Sequence, residues 1–273
     1  MKQTLRRYGV LFSLLIFSAG SPAALAADGT PVMSRIQKSG ELVLGTSGNM
    51  PPMTFKQADG RLNGFDISMA ELMADVMKVK LVTKVMPFNE LIPALKSGKV
   101  DVVISNMTIN PTRNMEVAFV GPYMTSGKCI VTKQENLAKA DEAKELDIKD
   151  MHMVVLKGST SENFVRTLMP NVKVTTVNDN QEGADLVASD KAGGMLTDYP
   201  ICLATIKDNP NAGFVSVFSL LTYEPIGIAV SGDDALFINW TENFIERLEQ
   251  TTVIDVLAKK WLGDLAVQQE AAE

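Results

Sequence analysis

The chain has 273 residues, 32 acidic against 26 basic side chains for a net charge of −6, and 46% hydrophobic residues. An acidic chain repels phosphate backbones and anionic headgroups, which sets nucleic acid and anionic lipid aside as partners. Two cysteines and one histidine, with no Cys-x-x-Cys or His-x-x-x-His spacing, leave no basis for a zinc or haem site, and no metal or cofactor is expected.

The first stretch predicts export. Lys2, Arg6 and Arg7 precede the apolar run VLFSLLIFSA, and Ala24-Leu25-Ala26 supplies the small-residue cleavage pattern of a secretory signal peptide over residues 1–26. The run is about half of the ~20 residues that a spanning helix needs. Ala27 rather than Cys follows the expected cut, so no lipid anchor is expected. Without residues 1–26 the chain keeps 247 residues; it loses three basic side chains, and 23 basic against 32 acidic residues give a net charge of −9.

Short β-rich runs then alternate with helical patterns, the mark of an α/β fold. ELVLGT (41–46) reads as a strand. Residues 65–77 read as a helix with Ile67, Ala70, Leu72, Met73 and Val76 on its apolar face. A strand over 81–86, a helix over 89–96 with Leu91, Ile92 and Leu95 inward, and a buried strand over 100–105 (VDVVIS) complete the first set. Residues 134–150 carry nine charged side chains in seventeen and read as a solvated connection. The second set has strands over 153–156, 172–177 and 194–197, and helices over 162–169, 181–189 and 200–207. A strand over 226–230 and helices over 235–250 and 253–261 follow, and residues 268–273 read as a frayed tail. Runs such as VVIS and MVVL suit parallel sheets covered on both faces. Cys129 and Cys202 lie 73 positions apart, and spacing alone leaves their pairing open.

SNMTINPTR (105–113) is the most informative segment. Asn110 suits an N-cap and Pro111 the first helical position. Arg113 then falls in a first turn, where the helix dipole disfavours a cation. Holding an anion outside a strand's carboxyl end would explain it, since open α/β sheets place ligands there. A guanidinium grips a carboxylate bidentately, and Thr108 can add a hydroxyl. The plain alternative is a surface ion pair with Glu116 or another acid. In the second half, Ser159-x-x-Glu162 forms a capping box, while the amides of Thr160 and Ser161 at the same helix start suit an anion. Asp198, before Tyr199-Pro200, serves either as a simple N-cap or as a carboxylate for an ammonium group. His152 stands between two methionines, and no catalytic motif is present.

These segments together resemble the bacterial extracellular solute-binding proteins of family 3, the periplasmic binding components of polar amino-acid ABC transporters. The resemblance runs from GELVLGTSGNMPPMTF through GRLNGFDISMAELMADVM to LIPALKSGKVDVVISNMTINPTRNMEVAFVGPY, then LKGSTSENF, MLTDYP, EPIGIAV and AKKWLGDL. It implies a two-lobed α/β clamp of the periplasmic binding protein type II class, monomeric, with no catalytic chemistry and a membrane permease as partner. Lobe 1 would hold residues 27–126 and 225–267, lobe 2 residues 127–224, with crossovers near 126–129 and 223–225.

By the same resemblance Arg113 would clamp a ligand α-carboxylate with Thr108 and the amides of Thr160 and Ser161. Asp198 would take the α-ammonium, helped by the Asn106 carbonyl, and Met50, Phe88 and Ser47 would surround the side chain. Many relatives with cationic or amide ligands carry Asp where this chain has Ser47, an aromatic where it has Met50, and Phe or Tyr where it has Met53. Without that acid a neutral amino acid is the expected ligand. The alternatives are a periplasmic enzyme of the cyclohexadienyl dehydratase kind and a ligand-sensing module.

Overall fold

The computed structural model of the chain describes residues 30–135, 137, 142–216 and 222–263. The expected signal peptide, Ala27, residues 136 and 138–141 of the charged stretch and the tail at 268–273 lie outside them.

In chain order the first lobe opens with α1 (Pro31–Ser39), β1 (Glu41–Thr46), β2 (Asn49–Met50), β3 (Thr54–Lys56), β4 (Leu62–Asn63), α2 (Phe65–Met77) and β5 (Lys80–Val85). A 3₁₀ turn over Phe88–Glu90 leads into α3 (Leu91–Lys96), and β6 (Val102–Val103), α4 (Pro111–Asn114) and β7 (Ala118–Ser126) follow. After Gly127 come β8 (Lys128–Thr132), α5 (Ala143–Leu146), β9 (His152–Leu156), α6 (Thr160–Leu168), β10 (Lys173–Val177), α7 (Asn180–Ala188), β11 (Gly194–Asp198), α8 (Tyr199–Asp208) and β12 (Val215–Ser216). The chain closes with β13 (Glu224–Val230), α9 (Ala235–Gln250) and α10 (Val253–Leu262).

Two five-stranded sheets result, ordered β5-β1-β6-β13-β7 and β10-β9-β11-β8-β12, beside a small antiparallel β2-β3-β4 sheet. The same plan governs both large sheets. In the first, β1 runs parallel to β5 and β6 while β13 is antiparallel to β6 and β7. In the second, β9 runs parallel to β10 and β11 while β8 is antiparallel to β11 and β12. The chain passes from one sheet to the other between β7 and β8 and returns into β13. Two lobes joined at two crossings follow from that topology, the expected type II arrangement.

Alternating side chains explain the burial of both faces in the second sheet. Ile130, Met153, Val155 and Leu196 pack on one face with Val165 of α6. Cys129, Val131, Val154 and Met195 pack on the other with Ala184, Val187 and Cys202. Cys129 and Cys202 form a disulfide there, joining β8 to α8. In the first lobe Asp234 serves two helices at once: its Oδ1 caps α9 through the Phe237 amide at 2.8 Å, while Oδ2 accepts the Val32 and Met33 amides of α1 at 2.9 and 2.8 Å. Among the described residues no helix is long and apolar enough to cross a membrane.

Several expectations need correction. The strand expected over 100–105 pairs only at Val102–Val103. Asp101 spends its carboxylate on the Val43 amide at 2.7 Å, and the chain after Ile104 bends towards the cleft. On α2 the apolar face is centred on Phe65, Met69 and Met73, and Val76 is 59% exposed. Ile92 is only half-buried, with Ala94 taking the inward place in α3. Helix α1 and strands β7 and β8 have no counterpart in the residue pattern; for β7 the reason is that Gly121-Pro122 reads as a turn.

Candidate functional site

The two sheets point their loops at one another across a closed cleft. On the first-lobe side, residues 105–110 leave β6 and are strapped to the start of β13: the Ile109 amide donates to the Pro225 carbonyl at 2.7 Å, and the Gly227 amide to that of Met107 at 3.1 Å. Asn106 takes a left-handed φ of 48°, and its amide donates to Asp66 Oδ2 at 2.7 Å. Asn110 caps α4 by accepting the Arg113 amide at 2.9 Å. That cap sends the Arg113 side chain back into the cleft, where it is nearly buried.

The Arg113 guanidinium donates from Nη1 to the Thr108 carbonyl at 2.8 Å and from Nη2 to the Gly158 carbonyl of the other lobe at 3.1 Å. Its carbon lies 5.4 Å from the centre of the Phe88 ring. Burial pushes its pKa down to about 10, and the charges of Asp198 and Glu224 hold it up against that, so it stays a cation at neutral pH. The surface ion pair with Glu116 does not form; Glu116 pairs with Lys96 at 2.7 Å.

The second lobe contributes the start of α6 and the end of β11. Ser159 caps α6 by accepting the Glu162 amide at 3.2 Å, but the expected capping box closes one residue early: Glu162 Oε2 accepts the Gly158 amide at 2.8 Å, while the Ser159 amide donates to the Leu156 carbonyl. The first-turn amides of a helix have no intrahelical acceptor, and Thr160 and Ser161 line the cavity. Asp198 stands at the N-cap of α8 but makes no side-chain cap. Its carboxylate turns into the cleft instead. There Oδ1 accepts Lys128 Nζ at 2.5 Å and Oδ2 accepts Asn106 Nδ2 at 2.7 Å.

Lys128 and Glu224 were not anticipated from the residues. Lys128 is 1% exposed; beyond Asp198 its ammonium donates to Thr160 Oγ1 at 2.6 Å and lies 3.4 Å from Glu224 Oε2. Glu224 Oε2 also accepts Thr108 Oγ1 at 2.8 Å and Thr160 Oγ1 at 3.0 Å, and Oε1 accepts Thr222 Oγ1 at 2.9 Å. Burial works to raise the Glu224 carboxyl, but the Lys128 charge and the hydroxyls of Thr108, Thr222 and Thr160 outweigh it and hold the group below its ordinary range. The lysine heads KCIVT, a strand in which every residue is buried, and that burial shows only in the folded chain. A charge almost never sits fully buried without a partner.

The cavity left between the closed lobes is small, about 20 Å³. Met50, Phe88, Asn106, Thr108, Arg113, Thr160, Ser161 and Asp198, all singled out from the sequence, line it together with Leu156, Ser159, Asn180, Thr197 and Ile201. Ser47 does not line it; its hydroxyl accepts from Ser105 Oγ at 3.1 Å. Among the described residues Asn106 Oδ1 is a buried acceptor with no hydrogen-bond partner. His152 is remote from the cavity, its ring between the Lys191 carbonyl and Thr175 Oγ1, each at 2.7 Å.

Two lobes joined by paired crossovers, closed on a small chamber with a cation and an acid in its walls, define a solute-binding protein of the clamp type. The chain belongs to the bacterial extracellular solute-binding proteins, family 3, whose model matches residues 42–264. It is similar to a probable amino-acid ABC transporter-binding protein of Haemophilus influenzae, 26% identical over 265 residues that cover 96% of this chain and 98% of that protein. A cyclohexadienyl dehydratase of Pseudomonas aeruginosa is 27% identical over 230 residues, 84% of this chain and 85% of that enzyme. Among solved structures, an ancestral arginine-binding protein bound to arginine matches with a TM-score of 0.77 and 36% identity, covering 82% of this chain and 99% of the other.

Proposed function

We propose that this protein is the exported substrate-binding component of an amino-acid ABC importer, trapping a zwitterionic amino acid with an uncharged side chain. Lobe 1 comprises residues 27–126 and 225–267, lobe 2 residues 127–224, and the protein works as a periplasmic monomer that presents its closed form to a membrane permease. The observation that carries the reading is the pairing of chemistries in one chamber: the Arg113 guanidinium, and the Asp198 carboxylate beside the unpartnered Asn106 Oδ1. Arg113 takes the α-carboxylate with the α6 amides, while Asp198 and Asn106 Oδ1 take the α-ammonium. Met50, Phe88, Leu156 and Ile201 surround the side chain.

Energetically this is enough. A hydrogen bond to a charged group contributes about 1.5–3 kcal/mol, and a micromolar dissociation constant needs about 8 kcal/mol. Because Arg113 and Asp198 come from different lobes, the ligand's two charges favour the shut form over the open one, which is the differential affinity that a ligand-driven closure requires.

A dehydratase reading has the Pseudomonas aeruginosa relative in its favour. It needs a proton donor at the cavity wall, and Glu224 does not line the cavity, its two oxygens being held by the hydroxyls of Thr108, Thr160 and Thr222. The test is calorimetry and thermal shift with the twenty amino acids, with prephenate and arogenate as a separate arm read by product mass spectrometry. At a hundredfold its dissociation constant the true ligand adds ~2.7 kcal/mol of stability. Arg113→Ala should weaken binding by two or more orders of magnitude; near-wild-type affinity, or turnover of either cyclohexadienyl acid, would remove the proposal.

A further inference from the structure

We infer that Lys128 is a specificity-determining residue that bars amino acids with a cationic side chain from the cavity. The inference rests on the amino-acid reading and names the substrate class of that same site. Lys128 stands at the head of β8, one residue beyond the crossover, and its ammonium is shut inside the protein. Its three protons have three acceptors: Asp198 Oδ1, Thr160 Oγ1 and, at longer range, Glu224 Oε2.

Two consequences follow from that placement. The formal charges around the chamber balance, with Arg113 and Lys128 against Asp198 and Glu224. A zwitterion with an uncharged side chain keeps the balance when the cleft shuts, whereas arginine or lysine carries a third cation into a closed site. Neither acid is left over to meet it. Asp198, which already accepts Lys128 and Asn106, is the acid that meets the α-ammonium, and both oxygens of Glu224 accept threonine hydroxyls. The rest of the lining holds no further acid: Leu156 and Ile201 are apolar, and Ser159, Asn180 and Thr197 are uncharged. An unpaired buried charge costs more than any hydrogen bond in the site returns.

Replacing Lys128 reverses the sign. In Lys128→Gln the glutamine amide still donates towards Asp198 or Thr160, but two acids then face one arginine and the chamber attracts a cation. The experiment is calorimetry on wild type and Lys128→Gln with L-arginine, L-lysine and each uncharged amino acid. Wild type should bind its best uncharged amino acid at least about a hundredfold more tightly than arginine or lysine, the scale of a like-charge contact at about 6 Å in a site of intermediate dielectric. The variant should narrow that gap by about tenfold or more. Arginine binding to wild type as tightly as the best uncharged amino acid overturns the inference while leaving the amino-acid reading standing, and this holds even where the variant does not fold. A folded variant in which all affinities move by one common factor also overturns it. Failure of wild type to bind any amino acid sinks both.

Discussion

Asp66 and Glu224 are both buried acids beside the same cleft, yet their surroundings push them in opposite directions. Asp66 has only neutral donors, the Tyr123 hydroxyl on Oδ1 and the Asn106 amide on Oδ2, each at 2.7 Å. Burial dominates and lifts its pKa to about 7, with those two bonds pulling the other way. Glu224 has a buried ammonium as well as three hydroxyls and is held below its ordinary range. What separates them is the neighbouring cation and the number of donors: two neutral donors against full burial for Asp66, an ammonium and three hydroxyls for Glu224. One acid therefore props the Asn106 corner, and the other belongs to the charged cluster with Lys128.

The comparison breaks most severely if the cation is removed. Lys128→Met leaves Asp198 and Glu224 buried without their ammonium, and stability should fall by about 3–5 kcal/mol in urea denaturation. A loss below about 1 kcal/mol would mean that the pairing is not what settles Glu224.

Acid titration sharpens the contrast next. For Asp66 the folded value lies above the unfolded one, so the stability it confers is complete below about pH 4 and is lost as the pH rises towards about 7. For Glu224 the folded value is depressed, so its contribution is present above the unfolded value and is lost as the pH falls through the folded one. Asp66→Asn keeps an acceptor for the Asn106 amide and should flatten the decline between about pH 4 and about pH 7, by a few kcal/mol across the window. Urea midpoints measured across that range decide it; an unchanged slope would show Asp66 to be an ordinary carboxylate.

The smallest effect tests the closing surfaces rather than the charges. Gly158 has φ +76°, and a Cβ there would come within 2.8 Å of Asn89 Cβ across the cleft. Gly158→Ala should therefore resist closure and weaken ligand binding by about 1–3 kcal/mol. Unchanged affinity would show that the lobes meet differently at this point.

Much of the scaffold was legible because local pattern and burial agree. ELVLGT and residues 65–77 fall where the pattern predicts a strand and a helix, and the cap at Asn110 that aims Arg113 follows from short-range rules. Val76 shows the limit, since periodicity marks an apolar residue without saying that anything covers it. The resemblance places the crossovers near 126–129 and 223–225 and the pattern reads most of β13, but β7 is hidden because Gly121-Pro122 breaks its run. Lys128 escaped because its partners Asp198 and Glu224 lie 70 and 96 positions away, and a charge reads as surface until its counter-ion is known. Ser47 was placed at the right strand end, but its hydroxyl turned to Ser105, a choice that no spacing rule reveals.

The strand order of the first sheet has a consequence for how the chain is assembled. β13 lies between β6 and β7, two strands that precede it by roughly a hundred residues, and Asp234 binds the opening turn of the first helix. During synthesis the second lobe is contiguous, and its last strand among the described residues ends at residue 216. The first must hold an interrupted sheet until nearly everything else has emerged. Domains generally fold as units in the order they appear, so the inserted lobe is the one equipped to mature first, with its own disulfide, and the lobe that began the chain is the last to be finished.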